Sequence, residues 1–431
     1  MFDTRRSVTL ASDDGLGEFR RARARSFDRH ESRWPGALAD PYDLLDPLKL
    51  DPADVRAIET ATAGIGAIYA RILPLLRNLH DETLMAMGVR PDTLELSRTH
   101  IRGMEVPLLA RLDLAQTPDG LRLLEYNGEA PGLVVEAFEL NALECADAGM
   151  RDVNAGSLAV LTPAMRAALQ RGVEHVGAAA DRALVAFAYD RRSNRGRAVA
   201  RYLAHVARDS SGLQVVDVPI ESLSVSGDHL RLQDGRPVTV LWRPCSVRYL
   251  GAALSSPETP SDDCAASIAR LIRERRLALL DAPDTSLLSS KAAQAVIWGL
   301  AQSGRYFSAA DAEIVRAWFL PTTLDPPAGG EPFVIKPAFG SEGDSITIVD
   351  PVRDEVRRSA GTSYQGEANV YQQFVSLPIR NLMTEHGVRS LHLVASCFLV
   401  SGRPTGIIFR AGDEITSEDA WVVPAGCEFG S

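Results

Sequence analysis

Between residues 51 and 72 the apolar positions follow a helical period. Val55, Ile58, Ala61, Ile65, Ile68/Tyr69 and Ile72 lie three or four apart. Asp51-Pro52 precedes them as N-cap and first-turn proline, with Asp54 close behind, so the spacing predicts a long helix. Leu84 and Met87 extend the apolar stripe as core. The period then changes to two. Arg111-Leu-Asp113 and Glu125-Tyr-Asn127 alternate polar with apolar, and Gln116-Thr-Pro-Asp-Gly120 carries a turn signal between them. This predicts a hairpin, with Arg111 and Asp113 on one face of the first strand and Glu125 and Asn127 on one face of the second. A helix is expected around Val134–Ala148.

A second rhythm begins near Thr162. Leu184–Tyr189 is a buried strand, Arg197–Ala207 a helix with Val199, Leu203 and Val206 on one face, and Val215–Val218 another strand. Strand–helix–strand order predicts a parallel sheet, which Val238–Trp242 and Leu277–Leu280 would join, with a helix over 263–275. Helices over 291–303 and 309–317 open the last third. Strand Phe333–Lys336, the loop Gly340-Ser-Glu-Gly343 and strand Ser345–Val349 follow, then strands Leu393–Val400, Thr405–Phe409 and Trp421–Val423. The fold class is α/β with mixed α+β character. Five segments are expected: 1–40, loosely organised and Arg-rich; 41–160, the long helix and acidic hairpin; 161–285, the strand–helix–strand unit; 286–375, carrying the glycine loop; and 376–431. Ser256–Asp263 is the most linker-like stretch.

Composition narrows the function classes. A net charge of −10 speaks against nucleic acid as a partner, because that binding is driven by basic surface. The Arg20–Arg25 cluster is offset by Asp28 and Glu31 and reads as a solvated helix face. No run of about 18 apolar residues is present, so no membrane partner is expected. Arg5-Arg6 is followed by no apolar segment, against a twin-arginine leader. The five cysteines are scattered without a C-x-x-C pair, which fits a reducing, cytoplasmic setting. The eight histidines show no metal-binding spacing, and no G-x-S-x-G nucleophile elbow occurs.

Two clusters carry candidate chemistry. Asp113, Glu125 and Asn127 offer two carboxylates and an amide oxygen, the donors a hard cation such as Mg²⁺ takes alongside water and phosphate. Read alone, the hairpin fits an exposed face of solvated acids at least as well. Lys336 leads into the loop Gly340–Gly343, whose glycines allow backbone N–H groups to close on an anion while the lysine supplies a point charge. It is not a Walker A motif, and alone it fits a plain hairpin equally well.

Taken together, four blocks in order resemble the synthetase domain of glutathionylspermidine synthase, a circularly permuted ATP-grasp ligase. They are Arg111-Leu-Asp113 with Glu125-Tyr-Asn127; Leu288-Ser-Ser-Lys291; Lys336-Pro-Ala-Phe-Gly-Ser-Glu-Gly343; and Tyr371-Gln-Gln373 with Arg410. The resemblance covers roughly residues 40–431. It implies an ATP-grasp fold with a parallel-sheet pre-ATP-grasp subdomain, ATP and Mg²⁺ as cofactors, and small-molecule carboxylate and amine substrates. It implies Asp113, Glu125 and Asn127 as metal ligands. Lys291, Lys336, Gly340, Ser341, Gly343 and one of Gln372 and Gln373 would meet the nucleotide, and Arg111 and Arg410 would act at the reaction centre. The implied reaction is an amide-bond ligation through an acyl phosphate.

The departures concern the substrate. Ser341 stands where glutathione-using members carry a loop arginine, and Ala130 and Gly132 stand where they carry hydroxyl residues. Trp242–Arg248 lacks the acidic residues expected there, though Arg243 or Arg248 could supply a substitute cation. The resemblance therefore implies a ligase acting on an amino acid, peptide or related molecule other than glutathione. The alternatives are glutathionylspermidine synthesis itself and a nucleotide-binding scaffold without turnover. Oligomeric state is not legible.

Overall fold

A computed structural model describes residues 13–255 and 261–428 of the chain. Arg5-Arg6 and residues 256–260 of the linker-like stretch lie outside the described residues, and Ser261 onward forms the helix Ser261–Arg273.

The long helix spans Pro52–Arg77, with Asp51 in extended backbone at its N-cap. Its apolar stripe, Ile58 to Leu76, is buried on a large antiparallel sheet. Contact is close: a Cβ at Gly66 would come within 2.6 Å of the Leu399 side chain on that sheet. The sheet runs in the order Trp421–Val423, Arg403–Gly412, Gly387–Val400, Leu109–Thr117 and Gly120–Asn127, with Ile379–Thr384 added beside Gly387–Val400. The acidic hairpin of the first third is thus hydrogen-bonded directly to the last strands of the chain. A five-stranded antiparallel sheet falls between them in sequence, ordered Thr322–Thr323, Asn369–Gln373, Phe333–Pro337, Thr347–Asp350 and Glu355–Arg358. A four-stranded parallel sheet lies in a second core: Ala278–Leu280, Val240–Trp242, Leu184–Tyr189 and Gln214–Pro219. Three of its strands are buried apolar runs, as expected of strands covered on both faces, while the edge strand Gln214–Pro219 carries Gln214 and Asp217 and is only partly buried.

Two expectations are corrected. The segment 1–40, expected to be loosely organised, contains a 21-residue helix, Asp13–Arg33. Its Arg-rich part is not a wholly solvated face either. Arg23, Ser26 and His30 are buried against Glu144, with an ion pair of 2.6 Å from Arg23 and a hydrogen bond of 2.7 Å to His30 Nε2. The Ser26 hydroxyl donates to the same carboxylate. Phe19 is buried as well, but among the described residues the other fully buried side chains of the helix are these polar ones, so no continuous apolar stripe announces it.

Candidate functional site

The hairpin register brings the four polar residues together. Asp113 pairs across the strands with Glu125, and Arg111 with Asn127. The two-residue connection closes at Gly120, whose φ of +108° an L side chain rarely adopts. Arg111 clamps Asp113 in a bidentate pair, Nε to Oδ1 at 2.9 Å and Nη2 to Oδ2 at 3.0 Å, and its Nη1 donates to the Gly132 carbonyl. Ser396 on the next strand donates to Asp113 Oδ1 at 2.7 Å. Asn127 Nδ2 donates to Glu125 Oε1 at 3.2 Å and to the Arg111 carbonyl, so Oδ1 is the atom left to offer a ligand. Arg410 borders the same cleft from the adjoining strand. Its Nη2 donates to the Ser417 carbonyl, and burial together with the charge of Arg111 lowers its pKa.

Two lysines face this patch from the other side. Lys291 precedes the helix Ala292–Ser303, where its backbone N–H donates to the Ala338 carbonyl. Its Nζ lies 3.0 Å from Glu125 Oε2 and donates to the Gly340 carbonyl at 2.5 Å. Lys336 Nζ donates to Gln372 Oε1 at 2.6 Å and to the Leu124 carbonyl. Gln372 is buried, and its amide donates to Gln294 at 2.6 Å; Gln373 is exposed, and both border the cleft. Burial pushes Lys336 down to about 8, with Glu125 partly opposing the shift. Burial alone would raise Glu125, but Lys291, Arg111 and Lys336 outweigh it and hold the carboxyl well below the usual carboxylate range. The patch sets four cations, Arg111, Arg410, Lys291 and Lys336, around two carboxylates, Asp113 and Glu125, an excess of positive charge that suits an anionic ligand.

The glycine loop is held over this patch. Gly343 has φ +71°, and a Cβ there would lie 2.3 Å from the Thr416 carbonyl oxygen. Ser341 Oγ lies 2.9 Å from the Tyr364 hydroxyl and Gly340 packs on Pro337.

Two clefts meet here. One, with ≈ 740 Å³ of empty volume, lies between the two antiparallel sheets. Lys291, Lys336 and Asp113 stand at its polar end, and Val334, Ile346 and Ile348 are among its apolar walls. The other, ≈ 2280 Å³, opens toward the parallel sheet and is bordered by Arg111, Asn127, Glu136, Arg195, Trp242 and Ser341. Glu125 and Arg410 border both. The residues offered above as substitute cations are committed elsewhere. Arg243 is buried with Glu129 at 2.7 Å, and Arg248 pairs with Glu367 while donating to the Gly88 carbonyl. Ser396 and Glu136 were not legible as site residues, since Ser396 is brought in by a strand remote in sequence and Glu136 lies in an apolar helical stretch; Gln294 was missed although it lies one helical turn after Lys291.

A glycine-loop sheet facing a larger antiparallel sheet across a cleft, with a parallel-sheet unit alongside, defines an α/β protein of the ATP-grasp ligase class. The chain belongs to the glutathionylspermidine synthase pre-ATP-grasp family, which it matches over residues 46–428. Among solved structures it is similar to a glutathione synthetase-like effector of Globodera pallida, at TM-score 0.53 and 12% identity, covering 95% of this chain and 97% of that one. It is also similar to a putative gamma-glutamylcysteine synthetase of Methylobacillus flagellatus, at TM-score 0.42 and 14% identity, with 88% of each chain covered. No curated protein sequence matches it. Among the described residues, no helix is long and apolar enough to cross a membrane.

Proposed function

We propose that the protein is an ADP-forming ATP-grasp ligase that joins a small-molecule carboxylate to an amine through an acyl phosphate. The observation that carries this reading is the meeting of two clefts at Glu125 and Arg410. One has apolar walls for a base and two lysines for phosphates. The other is large enough for two further substrates. A chemistry that moves a phosphoryl group from one bound molecule to another needs such a junction.

The residues fit the cofactors the family implies. Among the described residues no cluster of three or more His, Cys, Asp or Glu gathers as a metal cage. Mg²⁺ needs none, since it is held by one or two carboxylates plus water and phosphate. Asp113 and Glu125, with the Asn127 oxygen, would hold it, and the ion would neutralise phosphate charge. Lys291 and Lys336 would neutralise the remainder. Lys291 would then exchange its contact with Glu125 for one with phosphate. The Gly340–Gly343 loop would keep water from the acyl phosphate. Arg111 and Arg410 would face the oxygens that gain charge during transfer.

The test is ADP release screened against a panel of carboxylates and amines, with mass detection of the product. A conjugate formed only with both substrates supports the ligase. A phosphorylated carboxylate as the final product assigns phosphoryl transfer instead, and ATP binding without turnover assigns a scaffold.

A further inference from the structure

An amine that attacks an acyl phosphate must give up a proton, and among the residues assigned above Asp113 is already bound by Arg111 and Ser396 while Lys336 is bound to Gln372 and the Leu124 carbonyl in the other cleft. Arg111 and Arg410 are cations, and Glu125 is held far below the range in which it would accept a proton. The larger cleft contains one carboxyl of a different kind. The helical stretch after the hairpin opens with a π-helical turn, Glu136–Leu140, a widening that recurs at functional sites. Glu136 lies in the wall of the cleft that Arg111 and Asn127 also line, and it is only 3% exposed.

The charges that face Glu136 are Arg111 from the hairpin, Arg195 from the start of the helix Asn194–Ser211, and Asp43 from the segment before the long helix. Both cations are already committed, Arg111 to Asp113 and Arg195 to Asp43 at 2.7 Å. Among the described residues Glu136 shares an ion pair with neither. The other acids of this cleft are placed differently. Glu129 is tied to Arg243, Glu385 accepts a hydrogen bond from Trp421 Nε1, and Asp40, Glu342, Glu418 and Asp419 are exposed.

We propose that Glu136 is the general base of the ligation step. The reading rests on the ligase assignment. The amine nitrogen bonds to the acyl carbon, the bond from that carbon to the phosphate oxygen breaks, and its electron pair leaves with inorganic phosphate. The nitrogen proton passes to the Glu136 carboxylate. Burial raises Glu136 to about 7, so near neutral pH it is both available as carboxylate and basic enough to take the proton.

Glu136→Gln separates this role from its neighbours. Hydroxylamine, an amine largely unprotonated at neutral pH, intercepts an acyl phosphate without help from a base. Glu136→Gln is expected to lower amide formation by about 10²–10⁴-fold. Hydroxamate formation should fall by far less, and the limb of the pH–rate profile that rises through about 7 should disappear. Glu136→Asp should restore part of the rate. Parent-minus-variant infrared titration of the protein alone should show one carboxyl titrating near 7. Equal loss of hydroxamate and amide, unchanged amide formation, or a Glu136 that titrates in the ordinary carboxylate range would each overturn the assignment. A parent that forms neither product from any carboxylate would instead overturn the ligase reading itself, and this inference with it.

Discussion

Glu125 and Lys336 show how single side chains are tuned by their neighbours. Among the described residues, Glu125 is the one carboxylate that borders both clefts and meets the Lys291 ammonium. Glu125→Gln keeps its shape and removes its charge. The variant is expected to fold, with an unfolding midpoint close to the parent's, and to lose Mg²⁺-dependent turnover by two orders of magnitude or more, on the order of one lost electrostatic contact in a closed site. Steady-state ADP release across a Mg²⁺ titration checks this, and parental turnover would refute the metal assignment. Lys336 makes the pH prediction. Its folded pKa is depressed to about 8, and only the protonated form offers charge to phosphate. ATP affinity should therefore be greatest below that value and decline as pH rises through it, with a proton taken up on binding. Lys336→Ala should lose the pH dependence and bind ATP about ten- to a hundredfold more weakly, the equivalent of roughly 1.5–3 kcal/mol for a charged hydrogen bond. Calorimetric titration at several pH values decides it.

At the scale of elements, the loop and the first helix carry separate predictions. Gly343→Ala would set a methyl against the Thr416 carbonyl in a backbone conformation that favours glycine. The loop must then move off the cleft, so ATP affinity should fall while the unfolding midpoint barely changes, as nucleotide titration and urea unfolding would show. Arg23→Ala should do the reverse. It removes one of three buried partners of the Glu144 carboxylate and leaves His30 and Ser26 in place, so the loss should fall short of the about 3–5 kcal/mol that a fully unpaired buried charge costs. Burial works to raise Glu144, but His30, Arg23 and Ser26 outweigh it. Its contribution is thus present above the ordinary glutamate range and fades as pH falls through the lowered folded value. Urea unfolding of the variant measures the loss. These two elements also mark the boundary of what was legible. The hairpin could be read because period two and a Pro-Asp-Gly turn coincide in one short stretch. The Asp13–Arg33 helix could not, because beside Phe19 the residues it buries, Arg23, Ser26 and His30, are polar, and their partner Glu144 lies over a hundred positions away. The π-helical turn at Glu136 leaves no period of its own, so the sequence shows a helix there and hides the carboxyl it turns to the cleft.

For the molecule as a whole, the ligase class was legible because four short blocks kept their order. The cleft geometry was not, because the strands that carry Asp113 and Ser396 meet only in the folded sheet. The same whole-molecule view bears on the substrate. Arg243 and Arg248 are committed to Glu129 and Glu367, so neither of these two stands in for the loop arginine that the resemblance leads one to expect at Ser341. Glutathione with spermidine should therefore be a poor pair, about ten- to a hundredfold weaker per lost charged contact. Formation of glutathionylspermidine at the rate of the preferred conjugate would refute this. The central claim is that a carboxylate is activated by phosphoryl transfer before an amine displaces phosphate. It is tested most directly by supplying the active carboxylate labelled with ¹⁸O and examining the inorganic phosphate released during turnover. An acyl phosphate leaves one labelled oxygen in each phosphate, matched by loss of one from the amide product. Phosphate released without label while the conjugate forms would contradict the account.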